Sequence, residues 1–211
     1  MSNEVATEQT ESQLNVISYN PIFPVLTGSV LLDLPVEEMA EDILKLSNNE
    51  SNCPGGYCSL FSNQSIENVR GVKELRDAIY GISCAVGREL KYETNYDKSA
   101  TNLWFDVMRR SNYQTNRIQP RNVFSGTFIV RAEAKMSSVV LVNPNLINKI
   151  HDPFVRNEDF GPFTADGMIL EPKVNTLYFW PAWLQYQVPE MTEPGPRISF
   201  GFGIDFLPPG A

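Results

Sequence analysis

Residues Arg197–Phe206 read RISFGFGIDF. Ile198, Phe200, Phe202, Ile204 and Phe206 alternate with Ser199, Gly201, Gly203 and Asp205. Successive side chains of a β-strand point to opposite faces, so this alternation predicts a half-buried strand. The same period holds upstream, where Leu103, Phe105 and Val107 alternate with Trp104, Asp106 and Met108. VFSGTFIVRAEA, SSVVLVNP and NTLYFWPAWLQYQV then follow as further strand candidates. After about Lys91 the chain reads as all-β.

The first ninety residues read differently. Val16–Leu34 carries Pro21 and Pro24, which exclude a helix, and its β-branched content predicts one or two strands. From Pro35 to Leu46, Val36, Met39, Ala40, Ile43 and Leu44 recur at helical spacing, with Glu37 and Glu38 near the positive end of the helix dipole. A second helix is predicted over Asn68–Leu90, with Val72, Leu75, Ile79, Ile82 and Val86 in one stripe. Gly71, Gly81 and Gly87 weaken it by about 1 kcal/mol each relative to Ala, and Gly81 is read as a place of close packing or a bend. The fold class is therefore mainly β (α+β): a jelly roll, with two N-terminal helices packed on one sheet. One domain is expected over residues 16–211, with helical support at about 35–90 and a β-rich core at about 100–207. Residues 1–15 are polar, lack aromatics and are read as a flexible arm.

Bulk composition narrows the function. The 211 residues carry a net charge of −8, which argues against a phosphate backbone as main partner. No run of 18 apolar residues is present, so no membrane partner is expected, and the opening MSNEVATEQTESQ does not resemble a secretory signal. The basic cluster Arg109, Arg110, Arg117, Arg121 reads as a solvated strand end or loop. Cys53, Cys58 and Cys84 are too few for a zinc site and are read as free thiols, although the spacing leaves a Cys53–Cys58 bridge open.

Nothing announces a nucleophile or a phosphate loop: GxSxG and GxGxxG are both missing. The carboxylate pairs Glu37/Glu38 and Glu41/Asp42 sit on a helix face and read as solvated. The chain has a single histidine, His151 in KIHDPF, read as a loop residue. One histidine excludes any mechanism that needs two imidazoles in one subunit.

WFDVMRRSNYQTNRIQPRNVFSGTFIV, VVLVNP, YFWPAWLQYQVPE and PRISFGF resemble the successive motifs of the 2-oxoglutarate/Fe(II) oxygenases common in phage and marine bacterial genomes. NPIFPVLTGSVLLDLP, a helix, GGYCS and a second helix resemble that family's N-terminal layout, so the likeness runs from about Asn20 to Phe206. It implies a double-stranded β-helix. It also implies that Trp104 begins the strand leading to the metal motif. A His-x-His or His-x-Asp pair would stand just before Pro120 and the strand carrying Ser125 and Gly126, which puts the ligands at Arg117 and Gln119. The distal histidine would fall at Tyr186. A degenerate member is thus expected, with all three metal positions replaced. Fe(II) in such enzymes is held by two imidazoles and a carboxylate; a guanidinium has no lone pair to give.

Arg197, with Ser199 two residues on, stands where the resemblance places the arginine that pairs with the 2-oxoglutarate carboxylate. It is read as a structural ion-pair partner near the barrel mouth, residual carboxylate binding being the alternative. Arg117 is expected to pair with Asp106 or Glu133, or to bind an anion with Arg197. Trp180, Trp183 and Tyr186 are candidate interface aromatics; together with Tyr178 and Phe179 they also suggest a sugar-stacking cluster.

The expected function is non-catalytic, without cofactor: a structural or binding protein of oxygenase ancestry, in particular a phage virion component (capsid decoration, neck or tail protein). It would assemble in the host cytoplasm with other virion proteins or with itself as a homo-oligomer. The alternatives are a 2-oxoglutarate oxygenase with an atypical metal site and a carbohydrate-binding jelly roll.

Overall fold

The computed structural model describes residues 25–48, 50–93, 95–133, 136–145 and 165–207, with backbone alone for 96–100. The expected arm at 1–15 and His151 lie outside the described residues.

Among the described residues, ten strands form two antiparallel sheets. The larger contains β1 (Gly28–Leu31), β2 (Tyr57–Cys58), β3 (Asn95–Met108), β5 (Phe124–Arg131), β8 (Thr176–Pro181) and β10 (Arg197–Leu207), in the order β1-β8-β5-β10-β3-β2. The smaller contains β4 (Gln114–Arg117), β6 (Val139–Val142), β7 (Gly167–Leu170) and β9 (Tyr186–Val188), in the order β4-β9-β6-β7. This is the expected double-stranded β-helix sandwich, with two helices on the larger sheet.

The helices α1 (Val36–Ser47) and α2 (Val72–Glu89) form where the apolar spacing predicts. Pro35 is the residue before α1 rather than part of its first turn, and Asn48 ends the helix in the left-handed conformation, φ 47°. α2 starts later than expected because a 3-10 turn at Ile66–Asn68 and Gly71, at φ 74°, precede it. Met39 and Ile43 of α1 and Leu75 and Ile79 of α2 pack with Phe105, Phe128, Phe200 and Phe202 of the sheet. Each such side chain contributes about 1.5–3 kcal/mol when fully buried. The close-packing role expected of Gly81 is not found: a Cβ there would meet nothing within 4 Å. Outside the core, Arg70 clamps α1 through Asp42, with Nε donating to Oδ2 at 2.7 Å and Nη2 to Oδ1 at 3.0 Å.

β10 corrects the opening expectation. It is not half-buried: both of its faces are covered from Arg197 to Ile204. Ile198, Phe200 and Phe202 face the helices, and the small sheet covers the other side. Antiparallel register aligns Gly201 with Trp104 and Thr127, and Ser199 with Asp106 and Ile129. A Cβ on Gly201 would lie 2.4 Å from the Trp104 ring, so only glycine leaves room for the indole. Trp104 is therefore well inside β3 and not at its start. β4 and β7 form strands that apolar alternation does not announce. β4 is the polar QTNR, held by its pairing with β9.

All three cysteines are free. No described helix is long and apolar enough to cross a membrane.

Candidate functional site

The space between the sheets is where the family likeness places a metal. β4 and β9 pair so that Arg117 lies opposite Tyr186. Gln119, just past β4, is tied by its backbone N–H to the carbonyl of Ala182 at 3.1 Å. Its side-chain Nε2 donates to the Tyr186 hydroxyl at 3.2 Å. The Arg117 guanidinium stands over the Tyr186 ring, 5.1 Å from the centroid, and Nη2 donates to Gln114 Oε1 at 2.7 Å. The fold thus brings together the three positions singled out in the sequence, and the side chains there close on one another.

The opposite wall is the inner face of β3, β5, β8 and β10. Trp104 Nε1 donates to Asp106 Oδ2 at 3.1 Å. Arg197 is 1% exposed, and its Nη1 donates to Ser199 Oγ at 3.0 Å, with Met108 Sδ at 3.8 Å. Trp180 is fully buried, its ring 5.0 Å from that of Tyr186. The remaining cavity has about 10 Å³, room for about one water-sized occupant.

Electrostatics follow from burial. Desolvation pushes the Tyr186 phenol up, against the opposing pull of Arg117, so the hydroxyl stays neutral at ordinary pH. Desolvation draws Arg197 down to about 10, while Asp106 acts in the other direction; the guanidinium remains charged at neutral pH. Cys58 pairs with Asp106 across β2 and β3. Burial, with the Asp106 carboxylate beside it, pushes its thiol well up and keeps it protonated.

The donor set does not fit Fe(II). Arg117 offers no lone pair, Gln119 offers only a neutral amide oxygen, a weak ligand for Fe(II), and Tyr186 would have to ionise against its burial. Among the described residues no three His, Cys, Asp or Glu side chains group as metal ligands.

Several expectations change. Arg197 lies inside the sandwich rather than at its mouth, and no described carboxylate is within ion-pair distance of it; Ser199 is its partner. Arg117 engages Gln114 and Tyr186, not Asp106 or Glu133. Trp180 and Tyr186 are buried and cannot be interface aromatics, whereas Trp183 is 57% exposed. With Tyr178 buried too, only Trp183 of the sugar-stacking cluster is exposed, and Phe179 is half-buried. The Trp104–Asp106 bond and the role of Gln114 went unforeseen. The alternation put Trp104 and Asp106 on one face, but only the strand register shows what they meet.

A family model described as putative 2OG-Fe(II) oxygenase matches residues 102–203, which include Trp104, Asp106, Arg117, Gln119, Tyr186 and Arg197. No curated protein is significantly similar in sequence. Among solved structures, a Pseudomonas putida prolyl-4-hydroxylase is similar at 10% identity and a TM-score of 0.53, over 87% of this chain and 88% of that one. HygX from Streptomyces hygroscopicus, with nickel and 2-oxoglutarate bound, is similar at 8% identity and a TM-score of 0.48, over 87% and 83%. A 2OG-Fe(II) oxygenase-family oxidoreductase from Burkholderia pseudomallei is similar at 10% identity and a TM-score of 0.40, over 57% of this chain and half of that one. The fold is that of the 2OG oxygenases.

Proposed function

We propose that the chain is a non-catalytic binding or structural protein built on the 2OG oxygenase fold. The observation that carries this reading is the closure of Arg117, Gln119 and Tyr186 on one another through a hydrogen bond and a cation–π contact. The three positions bind each other in place of an ion. The narrow interior supports the same reading, since sites for small organic ligands run to about 300–1,000 Å³.

The further proposal is that it serves as a phage virion component, a capsid decoration, neck or tail protein, and associates with itself or with other particle proteins. Its support is the likeness of the sequence motifs to a lineage common in phage genomes. Large apolar side chains on the surface are consistent with it: Leu31 on edge strand β1 is 75% exposed and Ile169 on edge strand β7 is 66% exposed. Edge strands with apolar side chains are natural places for another chain to pair.

Purified protein incubated with Fe(II), 2-oxoglutarate and oxygen is expected to form no succinate. Iron-dependent succinate formation, lost in Arg197→Met, would overturn the non-catalytic reading. Recovery of the chain at fixed stoichiometry in purified particles is expected for the virion role; its absence from every particle fraction would end that part.

A further inference from the structure

Among the described residues, four buried nitrogen atoms of side chains that line one cavity have no hydrogen-bond partner: Arg197 Nε and Nη2, Arg117 Nε and Trp180 Nε1. All four are donors. Buried polar groups are almost always satisfied, so a cluster of unsatisfied ones calls for an occupant. The charges lining the cavity point the same way. Among the described residues that line it are two guanidiniums and one carboxylate, Asp106, which already accepts from Trp104. A buried charge without a partner is costly. Water would satisfy some of these donors, but it brings two hydrogens of its own that need acceptors. An anion only accepts.

We propose that this cavity binds one small monovalent anion of halide size between Arg197, Arg117 and Trp180. At about 10 Å³ the space is that of one water-sized occupant, which excludes a dicarboxylate; a halide, somewhat larger than water, requires the lining side chains to give slightly. The bound anion neutralises the surplus positive charge and joins the two sheets, with Arg197 on β10 and Arg117 on β4. The proposal rests on reading the site as one that holds no metal, because an iron centre would claim the same space.

Bromide is the probe. Crystals of the wild-type chain in sodium bromide are expected to show an anomalous peak among these three residues. In solution, the midpoint of thermal unfolding is compared in sodium bromide and sodium gluconate at equal ionic strength. Bromide is expected to raise it, by about 3–6 °C for each tenfold increase above the dissociation constant. Arg197→Met is expected to lose that difference; if this variant does not fold, the two wild-type measurements decide. A cavity holding only water, or a peak without any shift in solution (binding at crystal concentration only), overturns the proposal. Succinate formation would remove the non-catalytic reading without touching the bromide result. A negative bromide result leaves the argument from the metal-ligand positions intact.

Discussion

The six-stranded sheet has two buried faces made by the same strands. Toward the helices, Phe105, Phe128, Phe200 and Phe202 are all at most 1% exposed and apolar. Toward the small sheet, Asp106, Thr127, Arg197 and Ser199 are all at most 7% exposed and polar. Burial is equal, but the interactions differ. The outer face is held by area and fit: Phe105 stacks on Tyr57 at 5.7 Å and meets Phe200 edge-on at 6.1 Å. The inner face adds directed contacts, each needing a particular partner, to an apolar cluster that includes Ile129, Trp180, Leu141 and Val188. An interior that only had to be filled would have no need of a buried arginine hydrogen-bonded to Ser199 with Asp106 in the same cavity. The inner face therefore carries the candidate site, while the outer face is scaffold.

The largest effect should come from breaking the scaffold side. Phe200→Ala removes a fully buried ring between the sheet and the helices. It is expected to cost about 3–5 kcal/mol, read as a lower urea midpoint. A loss below about 1 kcal/mol, the size of an ordinary surface or conservative change, would mean that the helices are not held by this face.

A smaller effect is expected from adding one methyl to the inner face of the same strand. Gly201→Ala places a carbon against the Trp104 ring, also 2.7 Å from its Nε1. The indole must move, and its bond to Asp106 is lost. The expected cost is about 1–3 kcal/mol, with a change in near-ultraviolet circular dichroism as Trp104 shifts. Unchanged stability and spectrum would show that the inner face is loose rather than tightly specified.

The outer face was legible in the sequence and the inner face only in part. Alternation in RISFGFGIDF and LWFDVM marks which residues share a face, and helical spacing finds α1 and α2. Alternation ranks apolar above polar, however, so Ser199, Gly201 and Gly203 read as exposed. The burial of Ser199 and Gly201 depends on a second sheet whose strand β4 carries little apolar pattern, and Gly203 is covered by the Asn122 side chain. The site positions Arg117, Gln119 and Tyr186 were found through a motif likeness, and the fold joins them. Their bonding was not legible, because it depends on the register of β4 against β9, to which QTNR gives no clue. The same limit hid the lone state of Arg197: a sequence shows that a carboxylate exists, not that it stops short of the guanidinium.

The smallest effect sharpens the contrast from outside the core. The helix layer is anchored by an ion pair at its margin, Arg70 with Asp42, whereas the inner face holds its charges in the interior. Hydrogen bonds from Arg70 keep the Asp42 carboxyl below its ordinary value, against the opposing effect of burial. A carboxyl lowered in the folded state adds stability above its unfolded pKa, about 3.9, and loses it as pH falls through the folded value. Asp42→Asn should therefore be slightly less stable than wild type at pH 7, by less than either core variant. The two proteins should converge as pH falls below about 4. Salt should narrow the gap at pH 7, because Arg70 is half exposed and its charge is screened. Paired urea titrations at pH 7 and pH 3, at low and high salt, measure all of this. A gap as wide at pH 3 as at pH 7 would show that Asp42 acts through packing at the helix margin rather than through its charge.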